Sequence, residues 1–174
     1  MRTGLRFLLV SLLLIAGLCS CEDRRADKAY LRGEYNETVE HLRFLAKSGE
    51  PRAQYDLGYL YDKGQGVPQS DEQARKWYEL AAEQGEARAE YNLGLMHLNG
   101  QGVKPDIVEA YYWISLSAAQ GDKQALDARD YVTDKMTEAQ LVEAKTKVRA
   151  HEEKVAESKT CITCRILKGK PTPD

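Results

Sequence analysis

Residues Arg52 to Gly85 read RAQYDLGYLYDKGQGVPQSDEQARKWYELAAEQG, and residues Arg88 to Gly121 read RAEYNLGLMHLNGQGVKPDIVEAYYWISLSAAQG. The second is the first written again. Tyr55 and Tyr91, Leu57 and Leu93, Gly58 and Gly94, Gly64 and Gly100, Val67 and Val103, Trp77 and Trp113, and Gly85 and Gly121 are each separated by 36 residues. A fixed period of this length marks stacked helical repeats, each of which buries its apolar face only against its neighbours. Such a chain works through the surface it presents, so its function is sought first in a binding face.

Each copy divides into two helices. In the first, Ala53, Leu57, Leu60 and Tyr61 fall at i, i+4, i+7 and i+8, one stripe of a helix. Gly64 is placed to end it in a left-handed conformation that costs glycine nothing, and Pro68 in the loop cannot continue a helix. Ser70 and Gln73 have the spacing of a capping box that opens the second helix, whose stripe is Ala74, Trp77, Tyr78 and Ala81. The second copy uses the same devices with other residues: Asp106 with Glu109 for the cap, Lys104-Pro105 in the loop, and Ala110, Trp113, Ile114 and Ser117 for the stripe. Gly58 and Gly94 stand inside their helices, where glycine costs about 1 kcal/mol relative to alanine. Close approach of the paired helix is the expected compensation.

The shared pattern is A-x-Y-[DN]-L-G-x-[LM], the loop G-x-G-V, then A-x-x-W-[YI] and a closing A-x-x-G. It resembles the Sel-one-like repeat of the tetratricopeptide superfamily. That resemblance implies an all-α fold, a right-handed α-solenoid of antiparallel helical hairpins, with regular repeats at 50–86 and 87–122. Worn copies flank them. In 22–49, Val39, Leu42, Arg43, Ala46 and Gly49 keep the register of a second helix, with Asp23 to Arg32 as its partner. In 123–159, Gln124 to Val132 matches a first helix with Ala125 in register with Ala89. Thr137 and Gln140 then form another capping box, ahead of a charged helix carrying Leu141, Ala144 and Val148 towards Lys159. A terminal unit needs such a polar outer face. Residues 160–174 are expected to form a flexible tail.

The amino terminus belongs to none of this. Arg2 and Arg6 precede a mainly apolar run from Phe7 to Leu18, too short to span a bilayer and of the length of a signal-peptide core. Leu18-Cys19-Ser20-Cys21 resembles the lipobox of bacterial lipoproteins, which implies cleavage after residue 20 and a lipid on Cys21. Two or three acyl chains at about 0.8 kcal/mol per buried methylene make a stable tether. Glu22 behind the cysteine favours the outer membrane by the usual sorting pattern. An ordinary secretory signal and a spanning anchor are the alternatives. Loss of residues 1–20 removes two arginines and no acid, which leaves a net charge of −4. With both signs scattered along the helices, nucleic acid is not an expected partner.

No G-x-S-x-G, P-loop or H-E-x-x-H motif is present, the three histidines (His41, His97 and His151) stand apart, and no cofactor or metal is implied. His97 takes the register of Tyr61 and reads as a partly buried helix residue. The pointed motif is Cys161-Ile162-Thr163-Cys164, the only two cysteines left once Cys19 is removed and Cys21 acylated. In an oxidising envelope they are a candidate disulfide, or a thiol–disulfide redox pair, and across a dimer a zinc site. Penicillin-binding or β-lactamase activity has been attributed to some secreted Sel-one-like proteins with disulfides inside each repeat; this chain has no cysteine there, which weakens that analogy.

The resemblance implies a partner-binding face on the first helices of the repeats. Away from the packing stripe lie Asp56, Tyr59, Asp62 and Lys63, with Asn92, Leu95, Leu98 and Asn99 one period on. Asp56, Tyr59, Asn92 and Leu95 are the candidate contact residues, Tyr59 and Leu95 suiting a peptide groove. The expected function is a non-enzymatic scaffold, lipid-anchored in the envelope and facing the periplasm, whose partner is another envelope protein.

Overall fold

The computed structural model describes residues 38–168, with side chains as far as Ser158. Among these residues every regular element is a helix. They are α1 (residues 38–47), α2 (Pro51–Lys63), α3 (Asp71–Ala82), α4 (Ala87–Asn99), α5 (Ile107–Ala119), α6 (Lys123–Thr133) and α7 (Glu138–Lys168). Helix α2 packs on α3, α3 on α4, α4 on α5 and α5 on α6, so each of these elements is packed by its neighbours in the chain. The expected first helix of the amino-terminal copy, Asp23 to Arg32, and the lipobox lie outside the described residues.

The caps expected from the sequence are made. Ser70 Oγ accepts from the Gln73 N–H at 3.3 Å, and Asp106 Oδ1 accepts from Val108 and Glu109 N–H at 2.9 and 3.1 Å. Thr137 and Gln140 cap reciprocally: the Gln140 N–H donates to Thr137 Oγ1 at 3.3 Å and the Thr137 N–H to Gln140 Oε1 at 3.0 Å. The period also runs into the flanks. Gly49, Gly85 and Gly121 have φ of 91°, 82° and 90° in the turn between hairpins. The alanines around those turns, Ala46, Ala82 and Ala118 before and Ala53, Ala89 and Ala125 after, are all buried.

Gly58 and Gly94 are the points of closest approach. A Cβ on Gly58 would lie 2.8 Å from Tyr78 Cδ1, and one on Gly94 would lie 2.5 Å from Ile114 Cγ1 and 3.1 Å from the Ile114 nitrogen. The missing side chain therefore sets how near α3 and α5 come to their partners. The loops clasp successive repeats: Gly102 (φ 64°) lies where a Cβ would meet the Asp71 carbonyl oxygen at 2.7 Å, and Arg75 Nε donates to the Gly102 carbonyl at 3.1 Å. The core is a chain of small clusters. Ala74, Tyr78, Ala81, Leu93 and Met96 fill one; Tyr111, Ile114, Ala118, Ala125, Val132 and Ala144 fill the next.

The carboxy-terminal helix departs from expectation twice. It is held chiefly by α5 and not zipped to α6 as a simple hairpin. Lys147 pairs with Glu109, Tyr112 meets His151, and Leu116 and Val155 line one cavity, so α5 and α7 run parallel. The flexible tail expected from residue 160 is corrected as well: helix continues to Lys168. No glycine or proline stands between Thr137 and Lys168, and the first breakers are Gly169 and Pro171.

Candidate functional site

The four candidate contact residues do not form one open groove. Tyr59 is 38% exposed on α2, with the Tyr55 ring 6.4 Å away and Lys63 Nζ 5.7 Å from its own ring centre. Asp56 is half-buried beside Arg52, and its carboxyl is raised above the ordinary value by burial, with Arg52 and Arg88 opposing. Asn92 is half-buried next to Tyr55 and Tyr78, where its amide partly offsets the burial of both phenols; its approach to the Tyr78 hydroxyl falls short of a full hydrogen bond. Leu95 lies elsewhere. With Leu98 it packs into the cluster of Ile114, Ala125 and Val132, because the worn third copy, α6, supplies a neighbour that covers this edge. The open part of the face is therefore Tyr59 and Asp56, flanked by Arg88 stacked 4.3 Å from the Tyr55 ring centre.

A second feature is a cavity of about 690 Å³ where the ends of α3 and α5 meet α4 and α7, within the roughly 300–1,000 Å³ usual for ligand sites. Glu83, Gln84 and Gly85 from the end of α3 and Gln120 from the end of α5 form its floor. His151, Glu152 and Val155 of α7 form a wall. Glu90, 3% exposed in the first turn of α4, lines it from within. Its Oε2 accepts from Gln120 Nε2 at 2.9 Å, and the same amide donates to the Gly85 carbonyl at 3.1 Å. Burial pushes the Glu90 carboxyl up to about 7, against the Gln120 hydrogen bond and with a small push from Glu86.

The α7 wall is pinned to α5. The Tyr112 hydroxyl lies 2.9 Å from His151 Nδ1 and donates to it when Nε2 carries the ring proton. The Lys147 ammonium, paired with Glu109, also lies 5.5 Å from the Tyr112 ring centre. Sequence reasoning passes over Glu90 and His151, although a signal is present for Glu90: Gln54 one period earlier shows that an amide serves at this position.

His97 is a partly buried helix residue as expected, its pKa lowered by burial and its Nδ1 without a hydrogen-bond partner. Cys161 and Cys164 fall on the helical backbone of α7, with their side chains outside the described residues. Among the described residues no group of three or more His, Cys, Asp or Glu is disposed to hold a metal, and no helix is long and apolar enough to cross a membrane.

The Sel1 repeat model matches residues 51–86 and 87–122. A segment of 66 residues is 41% identical to the chitin synthase regulator SKT5 of Saccharomyces cerevisiae, covering 38% of this chain and 9% of that protein. A protective antigen present in uropathogenic Escherichia coli strains, displaying an SLR fold, superposes with a TM-score of 0.67 at 31% identity over 81% of this chain and 30% of its own. A Sel1 repeat protein from Oxalobacter formigenes gives a TM-score of 0.55 at 41% identity over 57% of this chain and 41% of its own. The chain thus spans less than half of each of these relatives. With its two matched repeats, its helices stacked in the same 36-residue register and its likeness to solved SLR folds, this chain is a Sel1-like repeat protein with an all-α solenoid fold.

Proposed function

We propose that this chain is a non-enzymatic scaffold of the bacterial envelope, tethered by a lipid on Cys21, facing the periplasm with the outer membrane favoured, and binding another envelope protein through its helical stack. The observation that carries the reading is the architecture: nearest-neighbour hairpins locked by Gly58 and Gly94 hold Tyr59 and Asp56 on an open edge. Sel1 repeats generally mediate protein–protein contact, and the yeast relative is named as the regulator of an enzyme. The tether rests on the sequence Leu18-Cys19-Ser20-Cys21.

The test is site-specific photocrosslinking in intact envelopes, with the crosslinker at position 59 and, as control, at position 142, where Val142 is 60% exposed on α7. A defined partner is expected from position 59 and not from 142. No partner from position 59, or the same set from both, refutes the scaffold. For the tether, palmitate labelling is expected to vanish in Cys21→Ser; retained labelling refutes lipid attachment there.

A further inference from the structure

The two copies solve one packing problem differently. In the first, Gln54 is 4% exposed, its Oε1 accepts from Gln84 Nε2 at 2.7 Å, and its own Nε2 donates to the Ala46 carbonyl at 3.1 Å. Both ends of the amide are used. In the second, Glu90 takes the acceptor's part and receives Gln120 Nε2 at 2.9 Å. Once Glu90 is ionised the donor's part is vacated, because a carboxylate has no hydrogen to give to the carbonyl of Ala82, which stands where Ala46 stood and accepts from the Gly85 N–H at 2.9 Å. Glutamine would have served the fold at no charge-burial cost. What the glutamate adds, once ionised, is a negative charge inside a cavity, without the side-chain donor that Gln54 provides in the first copy.

The amino end of α4, in whose first turn Glu90 stands, favours that charge in part, and the cavity lining adds no permanent cation to it. Among the described residues no lysine or arginine lines the cavity, whereas Glu83 and Glu152 do. Two helices, α3 and α5, end at it, and a helix carboxyl end carries roughly half a negative charge. Neither has a basic residue in its last turn, although α2 carries Lys63 and α4 carries His97 in theirs. Leu116 and Val155 meanwhile give the cavity an apolar flank, suited to the methylene stem of a long cationic side chain.

We propose that this cavity receives a lysine or arginine side chain presented by the partner protein, its cationic head donating to Glu90 and to the Ala82 carbonyl and its stem lying on Leu116 and Val155. The guest supplies the donor that Gln54 supplies from within the first copy. The proposal rests on the scaffold reading and names the chemistry of its partner.

The test uses the full-length chain and three capped tripeptides, Gly-Arg-Gly, Gly-Lys-Gly and the neutral isostere with citrulline in the centre, followed by amide chemical shifts. A basic peptide is expected to shift Gln84, Gly85 and Gln120 saturably, with citrulline binding about tenfold more weakly, as loss of a charge-assisted hydrogen bond requires. Glu90→Gln is expected to fold, since the first copy uses glutamine here, and to bind all three peptides as weakly as citrulline. Equal binding of arginine and citrulline, shifts elsewhere, no binding, or undiminished affinity in Glu90→Gln overturns the proposal. So does spermidine outcompeting the peptides, which assigns the site to a free polyamine. Crosslinking from position 59 separates the two readings: capture there without peptide binding leaves the scaffold and removes the pocket, and peptide binding without capture does the reverse.

Discussion

Glu90→Gln makes a quantitative demand on stability. Burial raises the Glu90 carboxyl from an ordinary 4.5 to about 7, Gln120 opposing and Glu86 adding slightly. A carboxyl raised by folding prefers to be protonated in the folded state. Its contribution is fully present below the unfolded value and is lost as pH rises through the folded one. Every tenfold change in acidity corresponds to about 1.4 kcal/mol, so ionisation costs at most about 3.5 kcal/mol by pH 8, and less as far as water in the cavity screens the charge. The variant removes this cost and keeps the amide-type contact of the first copy. Urea denaturation of both proteins across pH 4 to 9 at fixed salt gives a difference curve in which Glu83, Glu86, Glu152 and His151 are common to both. The variant is expected to gain on the wild type from about pH 5 upward and to level off above about pH 8. A flat difference, or one that favours the wild type at high pH, refutes the reasoning that this carboxylate is buried at a cost.

Other expectations follow from single contacts. Gly94→Ala is expected to lose about 1–3 kcal/mol by overpacking, after a helix-propensity gain of about 1 kcal/mol, because the new carbon meets both the Ile114 side chain and its backbone. Gly58→Ala should lose less, since its nearest neighbours are ring carbons of Tyr78; denaturation that ranks them the other way contradicts this account. Asp106→Ala removes two backbone acceptances at the start of α5 and is expected to cost about 1 kcal/mol, whereas an unchanged midpoint would deny the cap its role. Tyr112→Phe deletes the bond to His151 and is expected to cost about 1 kcal/mol and to speed amide exchange across residues 147–155 of α7. Exchange that stays unchanged there would mean that the hydroxyl does not pin α7.

Much of the stack is legible in the sequence because its devices are local. The capping pair of Thr137 and Gln140, the left-handed glycines and the buried alanines each depend on neighbours a few residues away and recur at a fixed offset. What depends on distant partners is not legible in this way. Leu95 reads as a groove residue until α6 is known to cover it. The stripe of Leu141, Ala144 and Val148 is legible and does pack into the core, but the parallel course of α7 along α5 is carried further by Lys147, His151 and Val155, three residues of different character whose partners the sequence does not reveal. The cavity is hidden for the same reason. Gln54 and Glu90 differ visibly in the aligned copies, but only the fold shows that both are buried and that α7 closes one of them in.

The wall contributed by α7 fixes the valency of the molecule. Inserting another copy of residues 87–122 after residue 122 would place a new second helix beside the present Glu90 and move α7 onto the copy behind it. The cavity would migrate with the terminal helix and would not multiply. Lengthening this solenoid therefore extends its reach while leaving, among the described residues, one cationic socket walled by α7.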